Sequence, residues 1–267
     1  MKYLSGQRPL YVLVGLFLLS AAMLNGCAWL TQPPQNDAVA QQMVGRWMQN
    51  NSGLKSFKGL MQLQIEAQGR SMRGRAAFAA VLPDRLRVEL LNTIGQPLFS
   101  LASDGEKITL ISMQEHVIRH LEPSSGALEP LIGIPLGVED LLSVLIGRPP
   151  LPDFAAAQAV RDDIEQCTVL LKNRWHERLA QLHSGSCERI ETLTLYDDRQ
   201  NEMRYAMTWI DWQTVGPYIL PRKATILAAN GVRITITVER YWPDISVPAD
   251  TFTLVLPENF RTDSVPK

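Results

Sequence analysis

Four histidines, three cysteines and scattered carboxylates are the side chains of this 267-residue chain that could carry chemistry. His116 and His120 lie four apart, on one face of a helix or a strand, where imidazoles bind metal once an acidic partner completes the set. No carboxylate sits at ligand spacing, so the pair reads as solvated side chains at a strand edge. Asp197 and Asp198 precede Arg199, Gln200 and Asn201 in a hairpin loop, and a solvent turn accounts for them without calcium. Glu139 and Asp140 open a predicted helix, where carboxylates complement the dipole. GxSxG, HExxH and P-loop patterns are absent from the sequence. No catalytic residue, metal or cofactor is expected, and the chain does not read as an enzyme.

The remaining chemistry is in the cysteines. Cys167 and Cys187 could pair in an oxidising compartment, closing a loop of ~20 residues worth roughly 3 kcal/mol. Two buried thiols are the other reading. Neither cysteine has a CxxC partner or a nearby histidine pair, so zinc is not indicated.

Compartment is read from the first residues. In MKYLSGQRPLYVLVGLFLLSAAMLNGC, Lys2 and Arg8 precede an apolar run from Leu10 to Leu24, which is the layout of a secretory signal. The run falls short of the ~20 residues of a spanning helix. Its end, Leu24-Asn25-Gly26-Cys27, resembles the bacterial lipobox, in which small residues enter a peptidase cleft and the cysteine thiol takes a lipid. That resemblance implies Cys27 as the lipidated N-terminus, with three acyl chains, more than stable anchoring requires. Ala28 follows where an inner-membrane lipoprotein often has Asp, so the enterobacterial sorting rule implies the outer membrane, with the protein facing the periplasm. The expected organisation is a signal peptide over 1–26, a lipidated tether over 27–36 in which Pro33 and Pro34 stop helix and sheet alike, and one domain over 37–267.

Charge excludes another class of partner. The chain has 26 basic and 27 acidic residues, and loss of the leader with Lys2 and Arg8 leaves it more acidic still, with no basic field for nucleic acid.

The elements that position these residues follow from periodicity. After a cap at Asn36 or Asp37, Val39, Met43 and Trp47 recur every four residues and predict a helix packed by one stripe on a sheet. From Met61 the period becomes two, with Leu63, Ile65 and Ala67 alternating against Gln62, Gln64 and Glu66. RAAFAAVLP, LRVELL, PLFSLAS, EKITLIS and HVIRHL follow at about ten-residue intervals with turn signals between them, an antiparallel meander. The middle of the chain changes register. Leu128, Leu131 and Ile132 predict a short helical turn, and Leu141, Leu142, Leu145 and Ile146 a helix stopped by Gly147 and Pro149. Both are too apolar to expose a face, so burial on more than one side is expected. A second β region holds CTVLLKN, RLAQL, ETLTLYDD, MRYAMTWIDW, KATILAANG, VRITITVERYW and TFTLVLP, with Asn230-Gly231 a strong hairpin signal. The fold class is mainly β with inserted helices: an incomplete antiparallel barrel with a helical lid. Its inner face would be lined by Leu63, Ile65, Phe78, Val88, Leu90, Leu101 and Leu110, with Leu141 and Leu145 from the lid. The same residues can form a packed core or the wall of an acyl-chain cavity.

One residue fits neither. In LLNTIGQPLF, Asn92 and Gly95 supply a turn, yet β-branched Ile94 occupies its tip. It either folds back on the core or is held outward against something apolar.

LPDRLRVELLNTIGQPLFSL is similar to the outer-membrane lipoprotein receptor LolB and its relatives, which have an Arg-containing strand, an Asn-Pro-Leu-Gly turn and a following apolar strand. The helix stop Ile146-Gly147-Arg148-Pro149 resembles that family's Leu-Gly-Leu-Pro stop, and PRKATILAANGVRITITVERYWPDISVPADTFTLVLP resembles the closing strands of the LolA and LolB lipoprotein-carrier superfamily. The resemblance covers most of residues 54 to 257. Thr93 replaces the usual proline, and the section around Cys167 to Cys187 is additional. The resemblance implies a monomer whose cavity, closed by helices, accepts acyl chains of lipoproteins or lipids from a LolA-like periplasmic carrier, for lipoprotein insertion or envelope biogenesis. It also implies that Ile94 contacts the membrane. The rival expectation is a structural or interaction lipoprotein with a closed barrel in an envelope complex.

Overall fold

The structure, a computed structural model, describes residues 36–160, 167–197 and 200–264. The signal peptide, Cys27 with its lipidation, nearly all of the tether, Asp198 and Arg199 lie outside the described residues.

Helix α1 spans Ala38–Gln49, and Asp37 caps it by accepting from the Val39 N–H at 2.8 Å. Its buried stripe is Ala40, Val44 and Trp47, whereas Val39 is exposed and Met43 only half-buried. The predicted stripe is therefore rotated. The reason is a long-range tie: the Asp37 N–H donates to the Ala157 carbonyl and Asn36 Oδ1 accepts from the Ala157 N–H, which fix how the helix enters.

The strands are β1 Ser56–Ala67, β2 Arg70–Val81, β3 Arg85–Leu91, β4 Pro97–Asp104, β5 Ile108–Ser112, β6 Val117–Leu121, β7 Ala156–Val160, β8 Cys167–Lys172, β9 Arg178–Ser184, β10 Thr192–Tyr196, β11 Met203–Val215, β12 Tyr218–Ala228, β13 Arg233–Pro243 and β14 Arg261–Ser264. Helices α2 (Glu129–Ile132) and α3 (Val138–Leu145) separate β6 from β7. All fourteen strands form one sheet, in the order β14-β6-β5-β4-β3-β2-β1-β13-β12-β11-β10-β9-β8-β7. The two meanders join where β1 pairs with β13, Ile65 opposite Ile234 and Leu63 opposite Ile236. Inward residues of β1 to β5 and of β8 to β13 belong to one continuous apolar core, so the sheet curls on itself as an open barrel. At its centre Phe57, Phe78 and Tyr241 meet with ring centroids 5.9 to 6.2 Å apart. Gly59 lies beneath them, and a Cβ there would collide with the Phe78 ring.

The C-terminus departs from expectation. TFTLVLP is not a strand: Ala249–Phe252 forms a 3-10 turn, and strand β14 comes later. Pro248 and Pro257 bracket the stretch and deny it ladder donors. Leu254 and Phe260 instead cover Ala102, Ile111 and Ile118 on the outer face, and β14 then pairs with β6 in parallel, so the meander is not wholly antiparallel. Strand β6 is consequently no edge; of the two histidines only His120 lies on it, half-buried, and His116 is exposed just before it. His116 sits in the preceding turn with its ring 5.0 Å from that of Phe260, while His120 Nδ1 meets Thr109 Oγ1 at 3.2 Å.

Candidate functional site

The interior of the barrel is occupied by a separate stretch of chain, residues 126 to 148. Leu128, Ile134, Leu136, Leu142, Val144, Leu145 and Ile146 are fully or almost fully buried within the same core as the inward faces of the strands. The chain forms this plug because its apolar residues follow helical spacing while Gly133 and Gly147, both in the left-handed region at φ 69° and 72°, terminate the two helices. Asp140 opens α3 by accepting from the Gly137 N–H at 2.7 Å. Burial pushes its carboxyl up, and this outweighs the Gly137 hydrogen bond and the Arg204 charge, which pull the other way.

At the end of α3 the Val144 carbonyl accepts from the Gly147 N–H at 3.2 Å, and the barrel supplies further donors to the carbonyls there. Trp209 Nε1 donates to the Val144 carbonyl at 3.0 Å, the Tyr241 hydroxyl to the Leu145 carbonyl at 2.7 Å, and Asn51 Nδ2 to the Ile146 carbonyl at 2.8 Å. Arg148 then donates to the carbonyls of Asn50 and Asn51 at 2.6 and 2.7 Å. At the other end of the barrel Asn230 Nδ2 donates to the Gly133 carbonyl at 2.8 Å. Burial drives the Tyr241 phenol far above its ordinary value, so it remains a donor. These ties went unnoticed in the sequence. The available signal was a Trp and a Tyr at inward positions of apolar strands, where a polar tip needs a partner.

The expected lining residues share one interior. Phe78, Leu90, Leu101, Leu110 and Leu145 are buried in the core, and Leu63, Ile65, Val88 and Leu141 are half-buried against it. The plug fills the space between them. A pocket of about 200 Å³ lies where the plug enters, lined by Asp84, Ser103, Ser124, Ser125, Val138 and Asp140 among others. Trp47 Nε1 is buried without a hydrogen-bond partner beside the same core.

Of the two states open to the cysteines, the structure has the bridge: Cys167 and Cys187 form a disulfide with Cα atoms 5.2 Å apart. It ties the start of β8 to the loop between β9 and β10. Ile94 is 76 % exposed at the tip of the β3–β4 turn.

No protein-family model matches this chain, and no curated protein matches its sequence. Solved structures do match its shape. A LolA superfamily protein from Nitrosomonas europaea superposes with a TM-score of 0.55 at 10 % identity, covering 80 % of this chain and 97 % of that one. The likeness is one of shape, spread over most of both chains. A domain from Vibrio parahaemolyticus assigned to outer membrane lipoprotein sorting gives 0.52 at 12 % identity, over 80 % and 94 % of the two chains. A DUF1329 family protein from Desulfovibrio piger gives 0.54 at 9 % identity, over 80 % and 95 %. At these identities the likeness to all three is one of fold alone.

Proposed function

We propose that the protein is a lipoprotein anchored through Cys27 to the periplasmic face of the outer membrane. Its barrel takes up acyl chains of lipoproteins or lipids, for lipoprotein insertion or envelope biogenesis. The observation that carries this reading is the plug. The apolar interior is filled not by the sheet's own side chains alone but by a separate segment, tied to the barrel by a handful of side-chain-to-carbonyl hydrogen bonds. Withdrawing residues 126 to 148 opens a chamber walled by Leu63, Ile65, Phe78, Val88, Leu90, Leu101 and Leu110, with Leu141 and Leu145 leaving on the plug. Each CH₂ that replaces plug surface gains ~0.8 kcal/mol, so a long acyl chain can compensate for the lost contacts. Transfer is an exchange between apolar chambers. No bond is made or broken, and direction follows relative affinity for donor, barrel and membrane. The LolA-type fold supports the reading, and a soluble LolA-like carrier is the natural donor.

The test is displacement of a fluorescent apolar probe from protein lacking residues 1–27, comparing an acylated peptide with its unacylated twin. Competition by the acylated form alone supports the chamber. A probe that never binds saturably leaves the barrel as a closed scaffold, the reading of an interaction lipoprotein in an envelope complex.

A further inference from the structure

The turn that carries Ile94 is built twice. In the first copy, Asn92 to Gln96, the Asn92 N–H donates to the Gln96 carbonyl (2.8 Å) and the Gly95 N–H to the Asn92 carbonyl (3.0 Å). Asn92 Oδ1 accepts from the N–H groups of Ile94 (3.0 Å) and Gln96 (2.9 Å). In the second, Asn173 to Glu177 between β8 and β9, the Asn173 N–H donates to the Glu177 carbonyl (3.0 Å) and the His176 N–H to the Asn173 carbonyl (3.1 Å). Asn173 Oδ1 accepts from Trp175 (2.8 Å) and Glu177 (3.0 Å). The fourth residue is left-handed in both, Gly95 at φ 85° and His176 at φ 67°. The third residue in both is a large apolar side chain held in solvent: Ile94, and Trp175 at 64 % exposure.

The two turns lie at the same end of the sheet. Following the antiparallel registers from β3 through β2, β1, β13, β12, β11, β10 and β9 to β8 brings Leu91 and Lys172 to one edge. A third turn there, Ala228 to Val232, repeats the two backbone hydrogen bonds at 2.9 and 3.0 Å. Its third residue, Asn230, is the one that holds the plug. The same backbone device thus takes a polar residue where the third side chain reaches across to the plug backbone and an apolar one where it points away. At the opposite end, the Asp104 to Lys107 turn carries Glu106 beyond its Asp104 side-chain hydrogen bonds.

Where the chain enters fixes what this end faces. Asn36 and Asp37 bind Ala157, next to the β7 residue Ala156 that is paired with Lys172, so the described chain starts beside the Trp175 turn. Nine residues, 27 to 35, separate that point from the end of the signal sequence. Their reach is at most about 30 Å. Arg174 stands with its guanidinium 5.0 Å from the Trp175 ring. An aromatic body with a cation beside it suits the headgroup zone of a bilayer with anionic lipids.

We propose that Trp175 is a second membrane-contact residue, paired with Ile94, and that this end of the barrel docks on an anionic bilayer surface beside the anchor. The inference rests on the anchored reading above but not on the acyl chamber.

The test uses the full chain reconstituted in vesicles of phosphatidylcholine and phosphatidylglycerol with brominated acyl chains, in a Trp29→Phe background that removes the tether indole. Quenching of tryptophan emission is read against unbrominated vesicles. The expected result is strong quenching that Trp175→Phe largely abolishes and that adding Ile94→Trp to Trp175→Phe restores. Quenching unchanged by Trp175→Phe, or an Ile94→Trp indole that the bromines do not reach, overturns the proposal. Probe displacement by the acylated peptide is measured on the same variants. If it persists while quenching fails, the docking inference falls and the chamber stands. Loss of both in the parent protein removes the functional reading as well.

Discussion

Trp209 Nε1 lies 3.0 Å from the Val144 carbonyl and donates to it, so an inward strand residue holds the plug by its backbone rather than by its side chains. Tyr241 does the same for Leu145 one residue on. The seated position of the plug is thus defined by a few directional bonds in addition to the burial of its leucines.

Removing one of those bonds separates seating from packing. Tyr241→Phe keeps the ring in its cluster with Phe57 and Phe78 but strips the donor from a buried carbonyl, at a cost of about 1–3 kcal/mol. Urea denaturation should show that loss. Apparent affinity for an apolar probe should rise in the same variant, since a larger fraction of molecules has the plug withdrawn. A fall in stability with unchanged probe binding would show that the plug does not gate the chamber.

The Asp140 carboxyl gives the plug a pH dependence of known sign. Its folded-state affinity for a proton is raised by burial above the unfolded value, so its contribution to stability is fully present below the unfolded range and is lost as pH rises through the folded one. Asp140→Asn retains an oxygen for the Gly137 N–H and removes this titration. The variant should therefore gain stability relative to the parent on going from about pH 4 to pH 7, measured by urea midpoints at the two pH values.

Gly147 is fixed by both space and conformation. Its φ of 72° is left-handed, and a Cβ would strike the Trp212 ring. Gly147→Ala should cost about 1–3 kcal/mol and displace the end of the plug, whereas Gly45→Ala, in open space on α1, should be neutral or stabilising. Thermal melts of the two variants make the comparison.

The Cys167–Cys187 bridge closes a loop of 20 residues. Its removal by a double Cys→Ser change should lower stability by about 3 kcal/mol. A reductant should produce a matching shift in the parent and none in the variant.

Ile94→Glu should leave thermal stability unchanged, because the side chain packs on nothing, and weaken vesicle association of the unacylated domain about tenfold. That is the effect of removing roughly half the transfer energy of one buried aliphatic side chain. Co-sedimentation with vesicles measures it.

Much of the fold was legible in the sequence, for reasons that particular residues make plain. Ile234, Ile236 and Val238 alternate with charged or hydroxyl residues because one face of β13 meets the core, and the Asn230-Gly231 turn follows from left-handed φ at Gly231. The plug was visible as leucines at helical spacing. What the sequence did not show was long-range. No pattern tells β1 to pair with β13, turns the α1 stripe from Val39 to Ala40, or sends the C-terminal segment outside to pair in parallel with β6. The site divides similarly: Ile94 stood out because its type conflicts with its turn, while Trp175 did not, since a tryptophan between Arg174 and His176 is unremarkable until its turn is laid over that of Asn92.

The order of the strands also governs when such a chain can close on itself. Residues 36 and 37 rest on β7, and β1 rests on β13, so the first segments made have their partners in the second half of the chain. Loop closures of that length are slow and leave apolar strands uncovered while they wait. Strands β1 to β6 can pair with their sequence neighbours early, but the other edge of β1 has no partner until the chain has been made as far as Pro243. Until then the open edge of β1 and the apolar face behind it are the part of the fold most exposed to a wrong partner.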